Sequence, residues 1–550
     1  MSHGGRLLVE CLQTYGARHG FGVPGESYLS VLDGLHDTKG ALDFILCRNE
    51  GGAGFMAAAY GKLSGTPGLA FVTRGPGATN ASIGVHTAMQ DSAPMILFVG
   101  QIDTRTRDRE MFQEVDYRAF FGPIAKWVTE VDHVERIPEI ISRAWVTATS
   151  GRPGPVVVAL PENVISAPTD LAALSQTVRI PEPEASAEAM ADVRKSLSKA
   201  KQPVILMGGG GWTETGCRDM QRFAETSDIP VVAAFRYQDR FDNHSPVYAG
   251  EAGVGMLPQV RQTLTDSDLI LAVGVRFGEM TTANHTLFDL PKMRQTLIHA
   301  HISAAEIGKI YQPDIAINAG PNALAKALMG CSVDGNWTTW RKDARARYEA
   351  TFDLPSHPGP VDMRAVMAHL QQHLPKDAIL TNGAGNFSIW NNKYFRYGTD
   401  QRLLAPQSGA MGYGLPAAIA AKVHHPERTV LCFAGDGDFQ MNAVELGTAM
   451  QANAQPIVMI LNNGSYGTIR MHQEKHYPHR VSGTELQNPD FVALARAYGF
   501  HGERVETTED FVPAFERAMA SETGAVLDIV MDEKALTPRQ SLANLHASNN

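Results

Sequence analysis

The chain runs to 550 residues, more than one hydrophobic core can organise, and that length points to three or four domains. It carries 48 Lys and Arg against 58 Asp and Glu, a net charge of −10 spread without long runs, which argues against the electrostatic footprint of a nucleic-acid binder. Apolar residues make up 44%, yet no stretch approaches the roughly 18 that a bilayer helix needs, and the first residues lack the basic, apolar, small-residue order of a secretory signal. A soluble, cytoplasmic protein is expected. Cys11, Cys47, Cys217, Cys331 and Cys432 are odd in number and form no Cys-x-x-Cys pair, so reduced, mostly buried thiols are expected.

Three α/β blocks follow one another. In the first, which runs to about Asn163, Leu42 to Cys47 reads as a strand, Arg48 and Asn49 end it, and Glu50 opens a helix of small residues. Residues 71 to 80, FVTRGPGATN, repeat the pattern: a strand, a glycine turn, a helix. Ser166 to Ala187 is rich in Pro, Ala and Glu and reads as a linker. The second block, to about Gly330, carries strands at Pro203 to Met207 and Leu269 to Val273. A polar stretch from Asn336 to Pro360 separates the third block. This alternation predicts an α/β protein of three doubly wound parallel-sheet domains, over 1–165, 188–335 and 360–536.

The third block holds the most informative pattern. Thr429 to Ala434 and Pro456 to Leu461 are short apolar runs of the kind that form buried parallel strands. The first ends in Gly435-Asp436-Gly437, the second in Asn462-Asn463, and Asn442 to Ala452 between them reads as helix. Parallel strands present their carboxyl ends to one crevice, so Asp436 and Asn463 are expected to meet there. The Asp436 carboxylate, the Asn463 amide oxygen and the Ser465 carbonyl form an oxygen set suited to Mg2+, a hard cation commonly shared with phosphates. Gly435 and Gly437 let a diphosphate approach the backbone. The plain alternative is a strand, turn and helix with an acidic cap. Glu50 has two readings as well: a carboxylate that hydrogen-bonds the N1′ nitrogen of an aminopyrimidine, or an acid favoured at a helix N-terminus.

Taken together, these segments resemble thiamine-diphosphate enzymes of the acetohydroxyacid synthase group. The resemblance is carried by FGVPGES at 21–27, RNEGGAGFMAAAYGK at 48–62, TRGPGATN at 73–80, MFQEVD at 111–116 and GRPGPVVVALPENV at 151–164. VGVRFGE at 273–279, SGAMGYGLPAAIAA at 408–421 and the Gly-Asp-Gly to Asn-Asn motif complete it, so all three blocks are covered. It implies pyrimidine-binding, central and diphosphate-binding domains. It further implies a homodimer or dimer of dimers in which Glu50 of one subunit reaches cofactor held by Asp436 and Asn463 of another. Met411 is then the apolar wedge that bends the cofactor, with a core methionine as the plain reading. Asn386, beside Ala384 and Phe387, is a phosphate donor. Phe112 and Gln113 line the substrate side, with core packing as the plain reading of Phe112. Pro24, Gly409, Asp438, Tyr466 and Gly467 lie in the matching segments and join the cofactor-binding set.

The resemblance implies decarboxylation of a 2-oxo acid, pyruvate first, and carboligation of the enamine to a second carbonyl. Ile469, six residues beyond Asn463, is apolar where decarboxylases of this kind carry an acid, and no His-His pair lies near Phe112. His424 and His425 are expected on a solvated loop. Arg74 departs from the family, where a small hydroxyl residue precedes Gly-Pro-Gly. It is either a substrate-carboxylate clamp or the partner of an acid across a subunit interface. His472 either faces the site or lies on the surface. FAD is left open, with GGGGW at 208–212 and Arg276 as its expected contacts. The competing readings are a lyase or decarboxylase for another 2-oxo acid or a 2-hydroxyacyl thioester, a flavin-dependent oxidase, and a non-catalytic homologue. Thr537 to Asn550 is either a tail or a lid.

Overall fold

The computed structural model describes residues 2–37, 40–333 and 335–549. The first block forms a parallel sheet of β1 (His19–Gly22), β2 (Asp43–Leu46), β3 (Gly68–Val72), β4 (Met95–Gln101), β5 (Trp127–Glu130) and β6 (Pro155–Pro161), in the order β2-β1-β3-β4-β6-β5. β4 and β6 are buried along their whole length, as expected of strands covered on both faces. The central sheet comprises β7 (Pro203–Met207), β8 (Val231–Ala234), β9 (Tyr248–Ala252), β10 (Leu269–Val273), β11 (Thr296–Ala300) and β12 (Ile315–Ile317), in the order β9-β8-β7-β10-β11-β12. The third sheet comprises β13 (Ile379–Asn382), β14 (Arg402–Leu404), β15 (Val430–Gly435), β16 (Ile457–Asn462), β17 (His501–Val505) and β18 (Ala525–Val530), in the order β14-β13-β15-β16-β18-β17. The first and third sheets thus share one topology, and the central sheet follows the dinucleotide-binding order.

The chain divides into two compact units. One contains residues 1–180, 379–387 and 404–533, and therefore joins the first block to most of the third. The other contains 181–378, 388–403 and 534–550. In the first unit the helices α1 (Glu50–Ser64), α2 (Pro76–Asp91) and α4 (Gly414–His424) are unusually rich in Gly and Ala, whereas α3 (Ile137–Thr149) is an ordinary amphipathic helix. From Gly51 to Gly61 every residue of α1 is buried. A Cβ on Gly84 would lie 2.4 Å from the carbonyl carbon of Gly54, and one on Gly61 would lie 1.9 Å from the Pro94 carbonyl oxygen. Small residues are required there because backbone meets backbone. Phe55 of α1 and Tyr413, just before α4, close the contact edge to face at 5.5 Å.

In the second unit the stretch expected to be a polar separator contains a helix, Thr338–Glu349. Trp340, Ala344 and Tyr348 are spaced four apart and form its buried face, a pattern obscured by the charged residues between them. Within the expected linker, Glu182 accepts the backbone N–H groups of Asn322 and Ala323 at the start of the helix Pro321–Met329. The C-terminal segment is folded: Arg539 donates to the Tyr394 hydroxyl at 3.1 Å and to the Thr351 carbonyl. The cysteines are free; Cys11, Cys47 and Cys432 are buried, while Cys217 and Cys331 are partly exposed. No helix is long and apolar enough to cross a membrane among the described residues.

The contact between Gly54 and Gly84 supplies a stability prediction. Gly84→Ala should lower stability by about 1–3 kcal/mol through overpacking, read as an earlier urea midpoint. Gly122→Ala, where an added Cβ meets nothing within 4 Å, is the matched control and should leave the midpoint unchanged.

Candidate active site

In the third sheet the chain passes from β13 out to β14 and back across to β15, so the crevice opens between the carboxyl ends of β13 and β15. Asp436 begins the helix α5 (Asp436–Gln440) there and is 2% exposed. Burial pushes its carboxyl above the usual value. The opposing pull comes first from the Asn488 amide, which donates at 2.7 Å, then from the backbone N–H groups of Gly437 and Gly464. Asn488 also donates to the Asn462 side-chain oxygen at 2.9 Å, while Asn462 donates to the buried Asp528 carboxylate at 2.9 Å. The first asparagine of the pair is therefore committed to the sheet. Asn463 turns into the following loop, where its side-chain oxygen accepts the Ser465 N–H at 3.2 Å.

Asp438 ties the crevice loops together. Its Oδ1 accepts the N–H of Ala384 at 3.1 Å and of Gly412 at 2.9 Å, and a Cβ on Gly383 would collide with it. Met411 sits half-buried on that second loop, next to Gly412 and two residues beyond Gly409, both with positive φ (76° and 66°). The Asn442 amide donates to the Gly412 carbonyl at 2.8 Å. Asn386 is fixed by Thr468 of α6 (Gly467–His476), donating its N–H at 2.9 Å and accepting the hydroxyl at 3.0 Å, and the Phe387 ring lies over Gly435. The Tyr466 ring lies across Gly437, and Gly467 keeps its backbone clear of the Asn463 amide.

The equivalent switch point of the first sheet lies between β1 and β3. Here the loop carrying Pro24 meets the turn carrying Arg74, and a Cβ on Gly25 would contact the Thr73 side chain. Glu50 opens α1, with Asn49 as its cap; its carboxylate is half-exposed and accepts the Asn80 amide at 3.1 Å. Glu445, nine residues after Asp436, is fully buried at the same helix end. It accepts the N–H of Arg48 at 3.2 Å, the N–H of Asn49 at 2.9 Å and the Thr448 hydroxyl, and Gly52 lacks the Cβ that would strike it. Burial raises its carboxyl above the usual value and these hydrogen bonds oppose the shift.

Several side chains lie elsewhere than the sequence suggests. Phe112 is 75% exposed, so core packing within its own chain is not its role. Arg74 pairs with Glu162 inside the chain, neither free as a clamp nor dependent on another subunit for its acid. His472 is exposed on α6, its ring parallel to that of His476. His424 is half-buried at the end of α4, edge-on to Tyr60 at 4.9 Å, and burial lowers its pKa to about 4; the solvated loop expected for it is absent because α4 continues through it.

The donors fit a cofactor that carries a diphosphate and a hard cation. Asp436, a buried carboxylate held by amide donors, follows β15, while the Asn463 oxygen, the Ser465 carbonyl and a buried Ser465 hydroxyl with no hydrogen-bond partner follow the neighbouring strand β16. In the central sheet the glycine turn after β7 packs against its own chain. A Cβ on Gly209 would lie 2.2 Å from the Gly274 carbonyl oxygen, and the Gly208 carbonyl accepts the Trp212 indole N–H at 2.8 Å. Gly209 of the GGGGW turn is therefore spent on contact with the loop after β10.

Comparison with known families decides the identity. The thiamine pyrophosphate enzyme N-terminal TPP binding domain matches residues 2–120, the central domain 190–328 and the C-terminal TPP binding domain 383–529. The acetolactate synthase isozyme 2 large subunit of Escherichia coli is 30% identical over 536 residues, 96% of each chain. This chain belongs to the thiamine pyrophosphate enzymes of the acetolactate-synthase-like group. The mitochondrial acetolactate synthase catalytic subunit of Saccharomyces cerevisiae is 31% identical across 96% of this chain and 81% of its own. The isozyme 3 large subunit of Escherichia coli is 31% identical across 94% and 92%.

Within this thiamine pyrophosphate enzyme, sequence reading overlooked Asn488, Asn80, Asn442 and Glu445. No spacing rule finds the asparagines, which act through tertiary contacts. Glu445 had one available signal, an acid at the end of an apolar helix approach, which is equally common on surfaces. Its raised carboxyl supplies a test. The folded chain holds that proton more tightly than the unfolded one, so the contribution is present below the unfolded value of 4.5 and is lost as pH rises through the raised one. The advantage of wild type over Glu445→Gln in urea midpoint should shrink as pH climbs above 4.5. Glu445→Ala, which strands two backbone donors, should cost about 1–3 kcal/mol.

Proposed function

We propose that the protein uses thiamine diphosphate and Mg2+ to decarboxylate a 2-oxo acid, pyruvate first, and to join the resulting two-carbon unit to a second carbonyl. The observation that carries this is the pairing of two sheets of identical topology in one unit. One presents Asp436 and Asn463 at its switch point, and the other presents Glu50. The names of the relatives supply the substrate class.

Bound thiamine diphosphate supplies the electron sink for loss of carbon dioxide. Asp436, Asn463 and the Ser465 carbonyl would hold the cation, and Asn386, Gly435 and Gly437 would border the diphosphate. Glu50 would hold or share a proton at the N1′ nitrogen of the pyrimidine, and Met411 would be the apolar wedge that keeps the cofactor bent. Glu445 fixes the start of α1, and so the position of the Glu50 backbone. Ile469, exposed on α6, offers no proton, which favours attack on a second carbonyl over release of an aldehyde.

A homodimer or dimer of dimers is supported by exposed apolar residues around these elements. Ile83 is 42% exposed beside Gly51, and Met441 is 51% exposed beside Gly412. A second subunit over this face would also remove water from the half-exposed Glu50, the environment its proton-holding role requires. The central domain is read as flavin-free, its glycine turn being occupied by its own chain, which places an oxidase second.

Incubation with pyruvate, thiamine diphosphate and Mg2+ should yield acetolactate as pyruvate disappears, whereas stoichiometric acetaldehyde without acetolactate would reverse the assignment. Glu50→Gln should bind the cofactor yet lose about 10²–10⁴-fold in turnover. The purified protein should lack flavin absorbance in the visible; a bound flavin spectrum would restore the oxidase reading.

A further inference from the structure

Arg74 lies in the turn between β3 and α2, and its contacts are specific. Its side chain is 13% exposed. The Nε donates to the Phe112 carbonyl at 3.1 Å, a terminal nitrogen pairs with Glu162, and its backbone N–H donates to the Ser27 hydroxyl at 3.2 Å. The adjacent Gly75 has φ +63°, and a Cβ there would lie 2.7 Å from that of Gln113; its N–H donates to the Tyr117 hydroxyl at 2.9 Å. Everything Arg74 and Gly75 hold on this side is the segment from Phe112 to Tyr117.

That segment is anchored at its far end, where the Gln101 amide at the end of β4 donates to the Val115 carbonyl at 3.0 Å and Tyr117 is buried, and the residues before it are the ones Arg74 must hold. Asp108, Glu110 and Gln113 all have positive φ, at 60°, 53° and 65°, conformations that persist in non-glycine residues only where surroundings impose them. Glu114 accepts the N–H groups of Asp108 and Met111, which closes residues 108–114 on themselves between the Arg107–Glu130 pair on one side and the Gln101–Val115 hydrogen bond on the other. Behind it lies a groove of about 1720 Å3, bounded by Met111, Gln113, Trp127, Arg136 and Arg143. A loop beside that much space needs a tether to keep Phe112 projecting outward.

We propose that Arg74 and Glu162 form a latch that positions the Phe112–Gln113 loop. This rests on the reading that Phe112 and Gln113 line the substrate side. Arg74 is therefore a positioning residue that sets how tightly a 2-oxo acid is held.

The test compares wild type with Arg74→Ser, Glu162→Gln and the double variant, using amide hydrogen exchange over residues 108–114 and steady-state kinetics with pyruvate. Both single variants should speed exchange in that segment and leave β3 and β4 unchanged. Each should raise KM by roughly tenfold, the double variant matching the worse single, as expected of one coupled pair. Unchanged exchange in the single variants would overturn the latch. A raised KM in Arg74→Ser with Glu162→Gln at the wild-type value would overturn it too, by showing that the guanidinium acts on substrate directly. If wild type turns over no pyruvate, the functional reading fails, while the exchange measurement still decides the latch.

Discussion

The buried Glu445 carboxylate is the constraint on which the catalytic unit depends. It belongs to the helix-forming stretch after Asp436, yet its hydrogen bonds go to the backbone of Arg48 and Asn49, at the head of the helix that Glu50 begins. A carboxylate with no water around it is costly unless donors surround it, so the two sheets must meet in the one arrangement that supplies them. The glycine and alanine faces of α1, α2 and α4 make that approach possible, because larger side chains would hold the sheets apart before the N–H groups reached it. One interaction thus fixes the backbone of the proposed proton-holding acid to the element that carries the proposed cation ligand.

The rest of the site follows the same economy of placement. Parallel strands end on one side, so each switch point collects short loops without further design, and side chains such as Asp438 and Asn488 tie those loops together. Asp436 is left buried beside amide donors, with a raised carboxyl, an unfavourable state for a lone acid. A cation bound at the crevice would remove that cost, which couples the electrostatics of the unliganded chain to the binding proposed for it. The equal strand order of the first and third sheets puts the two halves of the chemistry on one scaffold used twice.

Much of this was legible in the residues. The apolar runs before Asp436 and Asn463 gave the strands to within about a residue, because both are buried on two faces and leave no polar alternation to misread. Glu50 at a helix start was visible from Asn49 before it and the small residues after it. The helix Thr338–Glu349 was hidden because charged residues fill all but one narrow face. The partner of Arg74 was hidden for a different reason: Glu162 lies 88 residues away, and nothing in either local sequence marks the pair. His424 was misread because the Pro at 426 suggested a loop that in fact begins after it.

The central claim, that the crevice at Asp436 and Asn463 binds thiamine diphosphate through a divalent cation, is tested most directly by calorimetric titration of the purified chain with thiamine diphosphate, with and without Mg2+. The account predicts saturable binding at one site per chain that depends on the cation and is lost in Asp436→Ala while that variant keeps its far-ultraviolet spectrum. Equal affinity without Mg2+, or undiminished binding to Asp436→Ala, would contradict it.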